Sequence, residues 1–185
     1  MRTSLVTSVL VLALTAPAFA DATADATKAL IGFGRLSSYH MSMSTPTGQT
    51  LEIDVVNPNK MHFTTGSMQM IRIDDNSWVY VNGRWMAVPA MAAGQMSQMA
   101  GGAMAARTLS DHAQHVTVTD LGAKSVGGET LHAYGVKDPD TATTSTIYVG
   151  ADGYVHQMDV VDGRGRTSTI HISQFNQKIA IDPPS

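Results

Sequence analysis

From Tyr39 onward the apolar residues recur at every second position, and each such run is cut short by residues that turn the chain. This alternation is the signature of half-buried β-strands, and short turns between the runs restrict the fold to an antiparallel sheet. Tyr39, Met41 and Met43 fall on one face, with His40, Ser42 and Ser44 on the other. Pro46-Thr47-Gly48 turns the chain, and Leu51, Ile53 and Val55 repeat the alternation with Glu52 and Asp54 opposite. Asn57-Pro58-Asn59 turns again, and Met61-His62-Phe63 opens a third strand. In Ser67 to Ile73 the pair Met68/Met70 is out of phase with Ile71/Ile73, which predicts a bulge or a strand covered on both faces. Asp74-Asp75-Asn76 closes the next hairpin. Trp78–Val81 and Arg84–Val88 then flank Asn82-Gly83, the strongest two-residue hairpin signal in the chain. A second run follows further on, with strands predicted at Val116–Leu121, Leu131–Lys137, Thr144–Val149, Tyr154–Asp162, Thr167–Gln174 and Lys178–Ile181. Gly127-Gly128, Asp138-Pro139, Asp152-Gly153 and Gly163 to Gly165 are the turns of that run.

Two segments break the pattern. Ala22 to Arg35 is alanine-rich, can be capped by Asp21 or Thr23, and ends on Leu30, Ile31 and Phe33, so it reads as a helix. Pro89 to Leu109 holds alanine, methionine and glutamine with no β-branched residue until Thr108, a composition that favours helix. Gly94 and Gly101-Gly102 weaken it, so two short helices, or a helix and a mobile loop, fit as well as one rod. This is too little helix for a parallel β/α arrangement. The expected fold is α+β: one large curved antiparallel sheet wrapped over one or two helices.

The first residues read as a processing signal. Arg2 supplies a short positive region, Leu5 to Leu14 is mostly apolar, and Pro17 precedes a small-x-small site at Ala18-Phe19-Ala20. The apolar run is short of the ~20 residues a membrane-spanning helix needs. The expectation is a cleaved signal over residues 1–20, a single domain over residues 21–185, export through the general route to a periplasm, and no integral membrane segment. The chain has no cysteine, which excludes a thiol nucleophile, a cysteine-ligated metal and a lipid-modified cysteine. A net charge of −3 without a basic block argues against a nucleic-acid surface.

Several stretches share one strand–turn pattern. These are the alanine-rich helix running into Ser37-Ser38-Tyr39-His40-Met41, the turn Asn57-Pro58-Asn59-Lys60-Met61, and Ile73-Asp74-Asp75-Asn76-Ser77-Trp78 followed by Asn82-Gly83-Arg84-Trp85. Thr146-Ile147-Tyr148-Val149-Gly150-Ala151-Asp152-Gly153-Tyr154 and the closing Gln174-Phe175-Asn176 continue the same strand–turn pattern. Together these stretches resemble the LolA/LolB-like periplasmic lipoprotein-carrier superfamily, which includes the mycobacterial LppX/LprG-type lipid carriers, and the resemblance implies a LolA-like half-open β-barrel whose helices form a lid over an apolar cavity for acyl chains. The chain lacks the N-terminal cysteine of the lipid-anchored members.

The twelve methionines carry the chemistry of the reading. All but the initiator and Met158 fall in the first strand run and the helical segment. An unbranched thioether fills irregular cores, and methionine-rich surfaces also repack around ligands of varied shape. Tyr39, Met41, Met43, Leu51, Ile53, Met68 and Met70, with Met91, Met96 and Met99 from the Pro89–Leu109 lid, are the expected ligand-binding residues. The expected function is a non-enzymatic carrier of a lipid or lipoprotein acyl chain, without a cofactor, that hands its cargo to an envelope acceptor protein. The alternatives are a copper-handling protein using His112, His115, Met96 and Met99, since thioether and imidazole suit copper(I), and an envelope sensor or interaction module. His62, His132, His156 and His171 read as half-exposed strand residues. Glu52 and Glu129 have no evident carboxylate partner, and no Gly-x-Ser-x-Gly, His-Glu-x-x-His or phosphate-binding loop is present. Trp78 and Trp85 flank a hairpin, where cross-strand packing or a cavity rim would both suit them.

Overall fold

The computed structural model describes residues 20–44, 48–89, 115–137, 139, 144–161 and 165–184. They form one helix, α1 (Ala20–Gly34), and eleven strands: β1 (Ser38–Ser44), β2 (Thr50–Val56), β3 (Lys60–Thr65), β4 (Met68–Ile73), β5 (Asn76–Val81), β6 (Arg84–Val88), β7 (Thr117–Val126), β8 (Glu129–Lys137), β9 (Thr144–Val149), β10 (Val155–Val161) and β11 (Thr167–Ser173). All the strands lie in a single antiparallel sheet, ordered β6-β5-β4-β3-β2-β1-β11-β10-β9-β8-β7. Two meanders are thus joined where the first strand pairs with the last. β6 and β7 stand at opposite edges, so the sheet is open, not a closed barrel. This is the α+β class expected from the sequence.

The turns form where their residues allow. Asn82 and Gly83 both take positive φ, 51° and 80°, as a type I′ hairpin turn requires. Gly127 and Gly128 do the same between β7 and β8, at 59° and 87°. The structure decides between the two expectations for β4 and corrects one expected strand. β4 carries no bulge: it pairs with β3 in unbroken register from Thr65↔Met68 to Lys60↔Ile73, and both its faces are partly covered. The register shifts lie instead in β7 between Asp120 and Gly122, and in β10 between Val155 and Gln157. Lys178–Ile181 is not a strand, because its segment finds its hydrogen bonds along the end of the sheet. Asn176 Oδ1 accepts from Ser37 N (2.9 Å) and Oγ (3.0 Å), Asn176 N donates to Ser38 O (2.8 Å), and Lys60 Nζ donates to Ile181 O (3.2 Å). The expected lid lies outside the described residues beyond Pro89.

α1 docks through Ala26, Ala29, Leu30 and Phe33, whose spacing places them on one face, and it packs chiefly against β7, β9 and β10. The Phe33 and Tyr39 ring centroids are 4.9 Å apart, which fixes the helix exit onto β1. Each strand sends alternate residues into this apolar layer and the others to the opposite face. One member is out of character: among the described residues the buried Ser145 hydroxyl finds no hydrogen-bond partner. Leu30→Ala should therefore cost about 2–5 kcal/mol by urea denaturation, as for other buried leucines. Ser145→Ala should cost nothing and can gain about 1 kcal/mol, because it removes an unsatisfied buried group.

Candidate ligand-binding site

Antiparallel register lines up the inward residues into rows that run across the strands. One row crosses seven strands: Met86, Val79, Met70, Phe63, Ile53, Met41 and Ile172, each opposite the next. Beside it runs a second: Leu51, Met43, Ile170, Met158, Ile147, Tyr134 and Asp120. Their interiors are buried, whereas the first row surfaces at Met86, which is 41% exposed next to the 36%-exposed Val81. The second ends at the Asp120 carboxylate on the β7 edge. Tyr134, near that end, has its phenol pushed up by burial and then by Asp25 and Asp120, so it sits in the layer as a neutral group.

Tyr39, Met41, Met43, Leu51, Ile53 and Met70 are all buried in this one layer, as strand alternation predicts. Met68 is only partly buried and lines a cavity of about 460 Å³ with Gln49, Thr50, Thr65, Gly66 and Ser67. Met91, Met96, Met99 and His112 lie outside the described residues. His115 is exposed just before β7, and among the described residues no group of His, Asp and Glu is placed to hold a metal ion. Phe63, Val79, Ile147, Met158, Ile170 and Ile172 share the layer but were not singled out from the sequence; carrying the two-residue period through β3, β5, β9, β10 and β11 would have found them.

The opposite face is largely polar, and two histidines of the sheet are held by carboxylates. His40 stands between Asp54 (Nδ1 to Oδ1, 2.7 Å) and Glu52 (Nε2 to Oε2, 3.0 Å), and Ser42 donates to the other Glu52 oxygen (2.8 Å). His156, the extra residue of the β10 bulge, lies 3.0 Å from Asp152 and 3.4 Å from Glu129. Both glutamates therefore have partners, but histidines and not carboxylates. Gly150 makes the second arrangement possible, since a Cβ there would come within 2.6 Å of His156 Nε2. Trp85 packs across its hairpin on Tyr80 (centroids 5.3 Å apart) on this same outer face, so it does not rim the apolar layer.

At the β7 bulge Asp120 accepts from Gly122 N (2.7 Å) and lies 2.6 Å from His132 Nε2, and these contacts, the backbone one first, hold its carboxyl below the usual aspartate range. A depressed folded pKa means that the associated stability is present above the unfolded value, near pH ~4, and is lost as pH falls through the lower folded value. Asp120→Asn should accordingly lower the urea midpoint more at about pH 6 than at about pH 3, where part of the difference is already lost. Midpoints of the two proteins measured at both pH values check this.

Comparison with known proteins places this geometry in context. Among solved structures, the chain is similar to lipoprotein LppX of Mycobacterium tuberculosis, with a TM-score of 0.66 at 14% identity over 89% of this chain and 100% of that one. LprF of Mycobacterium bovis superposes equally well, with a TM-score of 0.66 at 12% identity over 90% of this chain and 98% of the other. At such identities the likeness is one of fold. No curated protein matches the sequence. The family of the outer membrane lipoprotein carrier protein LolA matches residues 41–184, from β1 through β11 and the closing tail, and the chain belongs to that family.

Proposed function

We propose that the protein is a non-enzymatic carrier that takes up an acyl chain of a lipid or lipoprotein on the helix-bearing face of its sheet. The observation that carries this reading is the pair of apolar rows, in which Met41, Met43, Met70 and Met158 sit among Ile53, Phe63, Ile147 and Ile170. Family membership supports it. In the described state these residues are packed against one another, so uptake works by repacking. Thioether side chains turn aside at little cost, and the chain replaces their contacts. Each buried methylene contributes about 0.8 kcal/mol, enough for a medium-length chain to outweigh the ordering it imposes.

The first row surfaces at Met86 and Val81 on the β5–β6 edge, the end of the layer away from α1, and the acyl chain's tail extends towards it. Residues 1–20 direct export, and the exported form begins at Asp21 and works in the periplasm, releasing its cargo to an acceptor in the envelope. Among the described residues no helix is long and apolar enough to cross a membrane. Protein purified from a periplasmic extract without detergent should carry lipid mass in native mass spectrometry and should bind a fluorescent fatty acid. Met86→Asp, at an exposed position that tolerates charge for folding, should weaken that binding by about tenfold, because the incoming chain would have to bury a carboxylate. A ligand-free protein that ignores the fatty acid would overturn the proposal.

A further inference from the structure

The second face of α1 is only partly covered. Ala24, Thr27, Lys28, Ile31 and Arg35, at intervals of three or four residues, line a groove of about 910 Å³ closed on its far side by Asp152, Gly153 and Tyr154 of the β9–β10 turn. That volume lies within the range of about 300–1,000 Å³ typical of small-molecule sites. Ile31 and Tyr154 pack against the apolar core, so the groove is a place where the core reaches the surface. At the same place stand two exposed cations, Lys28 and Arg35, on a chain whose net charge is −3. Among the described residues neither makes an ion pair with the groove's one carboxylate, because Asp152 is held by His156 (3.0 Å) and by the Tyr154 backbone N–H (3.0 Å). Tyr154 in turn is held against Phe175 (centroids 4.9 Å apart) and by Asn176 Nδ2, which donates to its hydroxyl (3.2 Å).

The geometry points to a site for the anionic headgroup of an amphiphile, a phosphate or a carboxylate, with Lys28 and Arg35 as its counter-ions and Ile31 and Tyr154 beneath the start of its apolar chain. The proposal rests on the carrier reading and adds the class of headgroup. A neutral headgroup leaves the two cations unused, and a free anion leaves the apolar floor unused.

Binding of dodecyl phosphate, monododecanoylglycerol and inorganic phosphate by calorimetry tests it, using wild type, a Lys28→Ala/Arg35→Ala variant and a charge-preserving Lys28→Arg/Arg35→Lys variant. Both positions are exposed, and thermal melts check that the variants fold. Dodecyl phosphate should bind wild type about tenfold more tightly than the neutral lipid of equal chain length, consistent with two partly exposed charge pairs. That advantage should vanish in the alanine variant, persist in the charge-preserving one and shrink with salt. Inorganic phosphate should not compete at millimolar concentration. Equal binding of both lipids by wild type overturns the headgroup site and leaves the carrier reading standing. Inorganic phosphate binding as tightly as dodecyl phosphate overturns it in favour of a free-anion site. Failure of both lipids to bind overturns both.

Discussion

The antiparallel pairing of β1 with β11 holds the molecule together as one sheet. Met41 lies opposite Ile172 and Met43 opposite Ile170, and through these contacts the two meanders become a single surface with continuous apolar rows. Strand side chains alternate with a period of two, so a slip of one residue would turn Met41 and Met43 outward and bring His40 and Ser42 into the apolar layer. The outer face resists the same slip. His40 lies opposite Asp54 and Ser42 opposite Glu52, the residues to which they hydrogen-bond. Register is therefore specified from both sides, by burial within and by charge-assisted hydrogen bonds without.

Given that register, the distribution of packing follows. α1 covers chiefly the C-terminal meander, and the closing tail secures the start of β1 through Asn176 and that of β3 through the carbonyl of Ile181. Methionine is concentrated on the other meander and at the join. A close-packed interior resists change in volume, but unbranched thioethers can rearrange where leucine or isoleucine would clash. A layer that is full without ligand and can admit an apolar chain needs side chains of this kind. The cations beside α1 supply a polar end for the same cargo.

Much of this was legible in the sequence. Asn82-Gly83 marked its hairpin, and alternation placed Met41, Met43 and Met70 on inward faces. The partners of Glu52 and Glu129 were missed because the residues were sought as carboxylate pairs, whereas the fold gives each of them a histidine. Lys178–Ile181 alternates like a strand, yet its segment meets a side-chain amine and the sheet's end in place of a neighbouring strand. The pairing of the first strand with the last has no local signal at all, since it joins segments at opposite ends of the chain and only the completed sheet brings them together. The groove beside α1 was hidden for a related reason. Lys28 and Arg35 form a stripe only once the Asp152–Tyr154 turn is placed opposite them.

The central claim is that the methionine-rich face of the sheet takes up an apolar chain. Methyl-resolved NMR of methionine-labelled protein, titrated with a single-chain lipid, tests it most directly. Resonances of Met41, Met43, Met70 and Met158 should shift together and saturate with one midpoint. Shifts confined to the exposed Met86, or none at all, would contradict the account.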